Sequence, residues 1–209
     1  MRKGWACFRR TPIGPRRAAC AVILAALVSY PAAADPLGGF VDKMRVGAFQ
    51  HDAGVFAHAT ERGADINGEV LFVSPVPMDW ADRMPQWMRW VAQPRPQIGG
   101  LWNTSGATSQ GYAGLTWTAT VAHGLARDDD ALAVELFGGG AVNNGYVTST
   151  SSDRKSLGSN VLFRIGAEVG YRVTPHLSVL AVFGHESSAG LATPNPGMNQ
   201  LGMQLGYRF

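Results

Sequence analysis

Two segments of this chain alternate between apolar residues and polar residues or glycine, and no other feature constrains the fold as tightly. Counting back from the end, Phe209, Tyr207, Leu205, Met203 and Leu201 alternate with Arg208, Gly206, Gln204, Gly202 and Gln200. Over 161–172, Val161, Phe163, Ile165, Ala167, Val169 and Tyr171 take one face, and Arg164, Glu168 and Arg172 the other. A period of two is that of a β-strand, whose successive side chains point to opposite faces. A soluble sandwich alternates too. Here, though, the polar face carries charge and glycine, each run is about ten residues long, and an aromatic stands near an end, as in strands that cross a membrane. In hydrocarbon every backbone N–H and C=O must be paired within the protein, so such strands have to close on themselves.

Eight candidate strands follow: 42–50, 64–73, 95–104, 111–123, 130–139, 160–172, 176–186 and 199–209. The expected fold is all-β, an eight-stranded antiparallel transmembrane β-barrel of the outer membrane, small enough to be filled by its own side chains. An even strand number puts both ends on the inner side. The connections 51–63, 105–110, 140–159 and 187–198 then face outward, and the turns "GLARDDD" and "VTPH" face inward. One inner connection, "SPVPMDWADRMPQWMRW", is long. Its Trp80, Met84, Trp87 and Met88 fit one helical face despite Pro85, suiting either anchoring at the membrane surface or packing beneath the barrel.

Residues 1–34 read as a secretory signal peptide, leaving 35–209 as the barrel domain. Arg2, Lys3, Arg9, Arg10, Arg16 and Arg17 precede the apolar "AACAVILAALVSY", and Ala32-Ala33-Ala34 suits cleavage before Asp35. The apolar run is too short for a spanning helix. The formal charge of +3 over the full chain belongs to this segment, which holds six of the 18 lysines and arginines and none of the 15 acids. The remainder is acidic on balance, so nothing in it points to nucleic acid. Both cysteines, Cys7 and Cys20, lie in the leader, which removes disulfides and thiolate metal sites from the exported chain.

The seventh strand carries the candidate chemistry. Leu177, Val179, Ala181 and Phe183 form an outward apolar row that His185 and Ser187 continue, and on the eighth strand Asn199 continues the outward row of Leu201 and Met203. Polar groups on a lipid-facing row need a reason. A 7–8 hairpin brings Asn199 toward the pair. A base beside a hydroxyl, with a third polar group to orient the base, is the arrangement of nucleophilic acyl transfer. Polar residues at a barrel rim explain the same three side chains without any chemistry. Likewise Pro194, Pro196 and Gly197 of "TPNPG" are sufficient for a rigid turn. Of the nearby acids, Glu186 is expected to face the barrel interior, Glu168 to form an interior ion network with Arg164 and Arg172, and Asp153 to sit in an outer loop able to fold over the site.

"HESSAGLATPNPGMN" resembles the signature of the outer-membrane lipid A 3-O-deacylase family (PagL-like), approximately H-x-S-N-A-G followed by P-N-x-G and an acid. "NTSGATSQGYAGLTWT", "GAEVGYRV" and "ADINGEVLF" are similar to family stretches in the same order, so the likeness covers most of 37–209. The resemblance implies an eight-stranded barrel that hydrolyses an ester-linked acyl chain of lipid A in the outer leaflet, with no cofactor and no metal. It implies His185 as general base, Ser187 as nucleophile, Asn195 with backbone N–H groups near Gly190 as oxyanion donors, and Asn199 as the group orienting His185. The implied partners are lipopolysaccharide and outer-membrane lipids; a homodimer is open to such a barrel. Two positions depart from the pattern: Ser188 replaces an asparagine, and Asn199 replaces the acid. An amide oxygen orients an imidazole but does not offset its charge. A catalytically weak or inactive barrel of the same family is therefore the alternative, and a soluble lipocalin-like barrel a third reading.

Overall fold

A computed structural model describes residues 39–55 and 58–209. The leader expected over 1–34 lies outside the described residues. Eight strands form one closed antiparallel barrel: β1 (Val41–Gln50), β2 (Ala64–Phe72), β3 (Arg95–Asn103), β4 (Gln110–His123), β5 (Ala131–Asn143), β6 (Val161–Arg172), β7 (Leu177–Ser187) and β8 (Met198–Arg208). Each strand pairs with its sequence neighbours, and β1 closes on β8 from Lys43↔Arg208 to Gln50↔Leu201. Outward stand Met44, Val46, Ile66, Ile98, Leu136, Phe163, Ile165, Val169, Leu201, Met203 and Leu205, all exposed. Inward and buried stand Arg45, Asn67, Glu69, Gln97, Glu135, Arg164, Glu168, Gln200 and Gln204. This inverts a soluble protein, because the outer solvent is hydrocarbon. A soluble lipocalin-like barrel would leave the whole band in water, which excludes that reading.

The lumen is filled in two tiers. Toward the outer half, Phe49, Leu101, Tyr112, Phe137, Ala141, Leu180 and Val182 form an apolar cluster. Arg45 lies deeper and donates to three carboxylates, Glu69 at 3.0 Å, Glu168 at 2.7 Å and Glu135 at 2.5 Å. Glu135 also faces Arg95 at 3.2 Å and Lys43 at 3.6 Å. Of the partners expected for Glu168, Arg164 acts on it only from beyond hydrogen-bond distance and Arg172 in no described contact; the bonded cation is Arg45. Same-face residues four apart on a strand are separated by about 13 Å, whereas Arg45 reaches Glu168 from across the lumen. Arg164 instead sits 3.8 Å above the Tyr112 ring and 3.5 Å from Glu186.

Strand ends match the sequence reading closely except in β5, which runs through Gly138-Gly139-Gly140 to Asn143 rather than stopping at 139. Gly139 lies opposite Gly114 of β4, and a Cβ on either would collide with the other strand's backbone. The glycines let two strands approach closely, which continues the sheet instead of ending it. The inner turn before β5 is built on Asp130, whose carboxylate accepts the N–H groups of Leu125, Ala126 and Arg127 at 2.7–2.9 Å. The long inner connection is not one helix. It is a short helix, α1 (Met78–Asp82), and a 3₁₀ segment (Gln86–Ala92) that starts after Pro85. Proline lacks the N–H that a continuous helix needs at that point. Trp80, Met84, Trp87 and Met88 therefore do not share a single helical face.

Candidate active site

His185 and Asn199 meet where β7 and β8 reach the outer rim, and Ser187 stands two residues further along the same row. His185 is directly opposite Asn199 in the register, and Ser187 opposite Phe163 of β6. His185 Nδ1 lies 2.6 Å from Asn199 Oδ1. The outer loop 51–63 holds that amide from the far side: Asn199 Nδ2 donates to the Val55 carbonyl, and the Ala53 N–H donates to the Asn199 carbonyl at 2.7 Å. A carbonyl only accepts, so the amide cannot be turned round, and its oxygen must face the imidazole. Nδ1 is then the protonated nitrogen, which leaves Nε2 of the neutral ring as an acceptor. Asn199 is only 2% exposed although it belongs to an outward row, because loop 51–63 covers it.

Glycine 197 forms the other wall. Its φ is +64°, and a Cβ there would stand 2.8 Å from His185 Cε1, so any other residue would displace the ring. Ser187 is half-buried, and among the described residues no hydrogen bond joins its Oγ to His185. Such contacts are often long before substrate binds.

The remaining candidates sit in the outer loop 188–197. Ser188 to Leu191 is a tight turn closed by the Leu191 N–H on the Ser188 carbonyl at 3.0 Å, with Ala189 and Gly190 at φ of 51° and 82°. Positive φ at both central residues is the type I′ pattern, which glycine satisfies without strain and alanine does not. Asn195 Oδ1 accepts the Ser188 N–H at 2.9 Å, so the next residue after Ser187 is tied to Asn195 and the Nδ2 group of Asn195 is left as its donor. Gly190 is exposed and is not brought against His185 or Ser187 in any described contact. The Ser188 hydroxyl bridges the Ala192 N–H and carbonyl, bracing the loop.

Among the described residues no acid joins this group by a hydrogen bond. Glu186 points into the lumen as expected and binds Gln110 and Gln200 at 2.7 and 3.1 Å. Asp153 is exposed and bonds Ser151. The outer loop containing it does reach the site, but through Lys155: its buried Nζ donates to Asp52 at 2.5 Å and to the Gly197 carbonyl at 2.8 Å. Lys155 and Asp52 were invisible as site residues in the sequence, since each is a loop charge outside any motif, 103 residues from the other.

The model of the lipid A 3-O-deacylase (PagL) family matches residues 78–208. The chain belongs to the lipid A 3-O-deacylase family. A solved structure, that of the outer membrane enzyme PagL, is similar over 81% of this chain and 99% of its own, at 17% identity and a TM-score of 0.56. At that identity the likeness shows the fold alone. No curated protein matches the chain. β1 and β2 precede the matched range; in this deacylase-family barrel β1 closes the ring against β8, and the loop between β1 and β2 covers Asn199.

That loop is held to the rest of the rim by a buried polar knot. His51 lies 2.9 Å from Asp65 and 3.1 Å from Glu61. Glu61 also accepts the N–H groups of Thr108 at 2.9 Å and Lys155 at 3.0 Å. Burial disfavours the charged imidazole, but the hydrogen bonds to Asp65 and Glu61 outweigh it and raise its pKa to about 9. Burial likewise opposes the Glu61 carboxylate, and the bonds from His51 and Thr108 overcome it and lower that pKa to about 2. A histidine pKa raised above its unfolded value of about 6.5 contributes stability below that pH. The contribution is lost as pH rises through about 9. The thermal midpoint of the folded barrel in detergent is thus expected to fall between neutral pH and pH values above that pKa, and His51→Gln to flatten that fall. An unchanged slope in the variant would remove His51 from the explanation.

Proposed function

We propose that this chain is an outer-membrane lipid A deacylase that hydrolyses an ester-linked 3-hydroxyacyl chain of lipopolysaccharide in the outer leaflet, after export of 35–209 behind a cleaved leader. The observation that carries the reading is the His185–Asn199 bond on the lipid-facing side of the barrel, with Ser187 next along the same row. Lipid A presents its acyl esters at this depth, just inside the headgroups. His185 Nε2 takes the Ser187 Oγ proton as Oγ attacks the ester carbonyl. The Asn195 side-chain amide and backbone N–H groups near Gly190 stabilise the oxyanion. A preorganised donor of that kind is worth about 10²–10³ in rate. Collapse expels the sugar hydroxyl, which receives the proton from His185. Water, deprotonated in turn by His185, then cleaves the acyl-serine and frees the fatty acid. No metal or cofactor enters any step.

Asn199 sets the imidazole tautomer but leaves the imidazolium without a counter-charge. In serine proteases an Asp→Asn change costs about 10⁴ in kcat because it yields the wrong tautomer. Here the Val55 carbonyl prevents that outcome, so the cost is confined to missing charge. A second reading, a weak or inactive barrel with a lipid-binding or structural role, is favoured by the neutral amide alone. Mass spectrometry of lipid A from a Gram-negative host expressing the chain distinguishes the two. Loss of one hydroxyacyl mass is expected, and unchanged lipid A beside abundant folded barrel, repeated on the native lipopolysaccharide, would end the deacylase reading. Asn199→Glu is expected to lower turnover, since it removes the donor to Val55 and crowds a buried position; a large gain would mark the native site as a degraded one.

A further inference from the structure

The inner connection between β2 and β3 presents apolar side chains that nothing among the described residues covers. Trp87 is 74% exposed and Trp80 61%, and Met78, Met84 and Val91 are exposed as well. Within α1 only Ala81 is buried, and in the 3₁₀ segment no residue is fully buried, Met88, Trp90 and Ala92 being half-buried. Helices this short are marginal in water and depend on packing for stability. A 3₁₀ run of seven residues also exceeds the usual three or four. An element of this kind, with so little of its apolar surface inside the protein, needs a second phase to hold it.

Its position identifies that phase. The segment leaves the wall at Phe72, whose ring meets that of exposed Phe40 at 4.9 Å, and exposed Val73 continues the rim. It rejoins the wall at Arg95, which pairs with Thr116, so β4 from Trp117 to His123 extends inward past the start of β3. The 3₁₀ segment packs against β4. It therefore stands beside the protruding β4–β5 hairpin at the inner rim. Exposed Phe40 and Val73 stand between its apolar side chains and the lipid-facing rows of β1 and β2. Its charges are matched within the segment, Arg83 with Asp79 at 3.5 Å and Arg89 with Asp82 at 3.4 Å. The Trp90 indole N–H is satisfied by the Trp87 carbonyl at 2.9 Å, which removes a cost of placing it at an apolar boundary.

We propose that residues 78–92 form a membrane-docking element that inserts Trp80, Met84, Trp87 and Val91 into the headgroup–acyl boundary of the inner leaflet, a lipid contact separate from the barrel wall and from the site at the outer rim. Indole rings favour that boundary because one edge is polar and the rest apolar.

Spin labels test this directly, because the chain outside the leader has no cysteine. Met84→Cys and Val91→Cys keep both tryptophans in place. Ile165→Cys on the wall and Asp128→Cys in the exposed inner turn give the lipid and water references. Each variant of the exported chain is folded into phosphatidylcholine–phosphatidylglycerol vesicles and checked by heat-modifiable mobility. The ratio of oxygen to nickel-chelate collision at positions 84 and 91 is expected near that of 165 and several-fold above that of 128. Ratios at both positions matching 128 would overturn the proposal and leave the surface open to a periplasmic protein. Labels resolved at 84 but not at 91 would overturn it for the 3₁₀ segment.

Discussion

Ser187→Ala is expected to leave the barrel folded and to abolish release of the acyl chain. Removing the nucleophile of a hydroxyl–imidazole pair has cost about 10⁶ in kcat where measured on another fold. A loss of at least 10³ is expected here (about 4 kcal/mol in the barrier, since each tenfold is 1.4 kcal/mol). Ser187 is half-buried at the end of β7, its backbone paired with Phe163, and its hydroxyl holds up no other part of the rim in any described contact. Fold and activity should therefore separate cleanly. The measurement is the lipid A mass profile at equal amounts of heat-modifiable barrel, wild type beside variant. Hydrolysis persisting in Ser187→Ala within tenfold of wild type would assign the nucleophile elsewhere, whatever the fate of the deacylase reading.

The second large effect is on stability. Arg45→Ala is expected to destabilise the barrel by about 3–5 kcal/mol, because it strands buried carboxylates. Glu69, Glu135 and Glu168 all receive hydrogen bonds from this one guanidinium, and only Glu135 has further cations, Lys43 and Arg95, within 4 Å. Glu69 retains the Tyr112 hydroxyl at 2.8 Å, and Glu168 retains no other described hydrogen bond. Glu168→Gln in the Arg45→Ala background should recover part of the loss, since a neutral amide is cheaper to leave in the lumen than a carboxylate. Urea unfolding in detergent micelles, followed by gel mobility, reads both. A single variant within about 1 kcal/mol of wild type would show that water in the lumen screens these charges, because exposed pairs are worth no more than that.

How much of this was legible beforehand differs between the wall and the rim. Period-two alternation marked which residues of β6, β7 and β8 face lipid, and the barrel bears this out down to the outward row that carries His185 and Ser187. It fell short in β5, where the strand was expected to stop at 139, within the run Gly138-Gly139-Gly140, and instead continues to Asn143. A glycine signals either a bend or a close approach, and only Gly114 on the preceding strand decides for the latter. The helix expected over the inner connection failed at Pro85 for a local reason that the sequence did contain.

The local pattern of side chains, read along the chain, determined the closed barrel, its lipid-facing and lumen-facing rows, and the family motif that ends β7. The tertiary structure alone decided which charges meet and which nitrogen of His185 carries the proton. Arg45 finds Glu168 across 123 residues of chain, Lys155 finds Asp52 across 103, and Asn199 is oriented by a backbone carbonyl 144 residues away. Alternation states only that a side chain points in or out. Its partner depends on how eight strands register around a closed ring and on how the outer loops fold over it, and those contacts join residues with no periodic relation in the sequence.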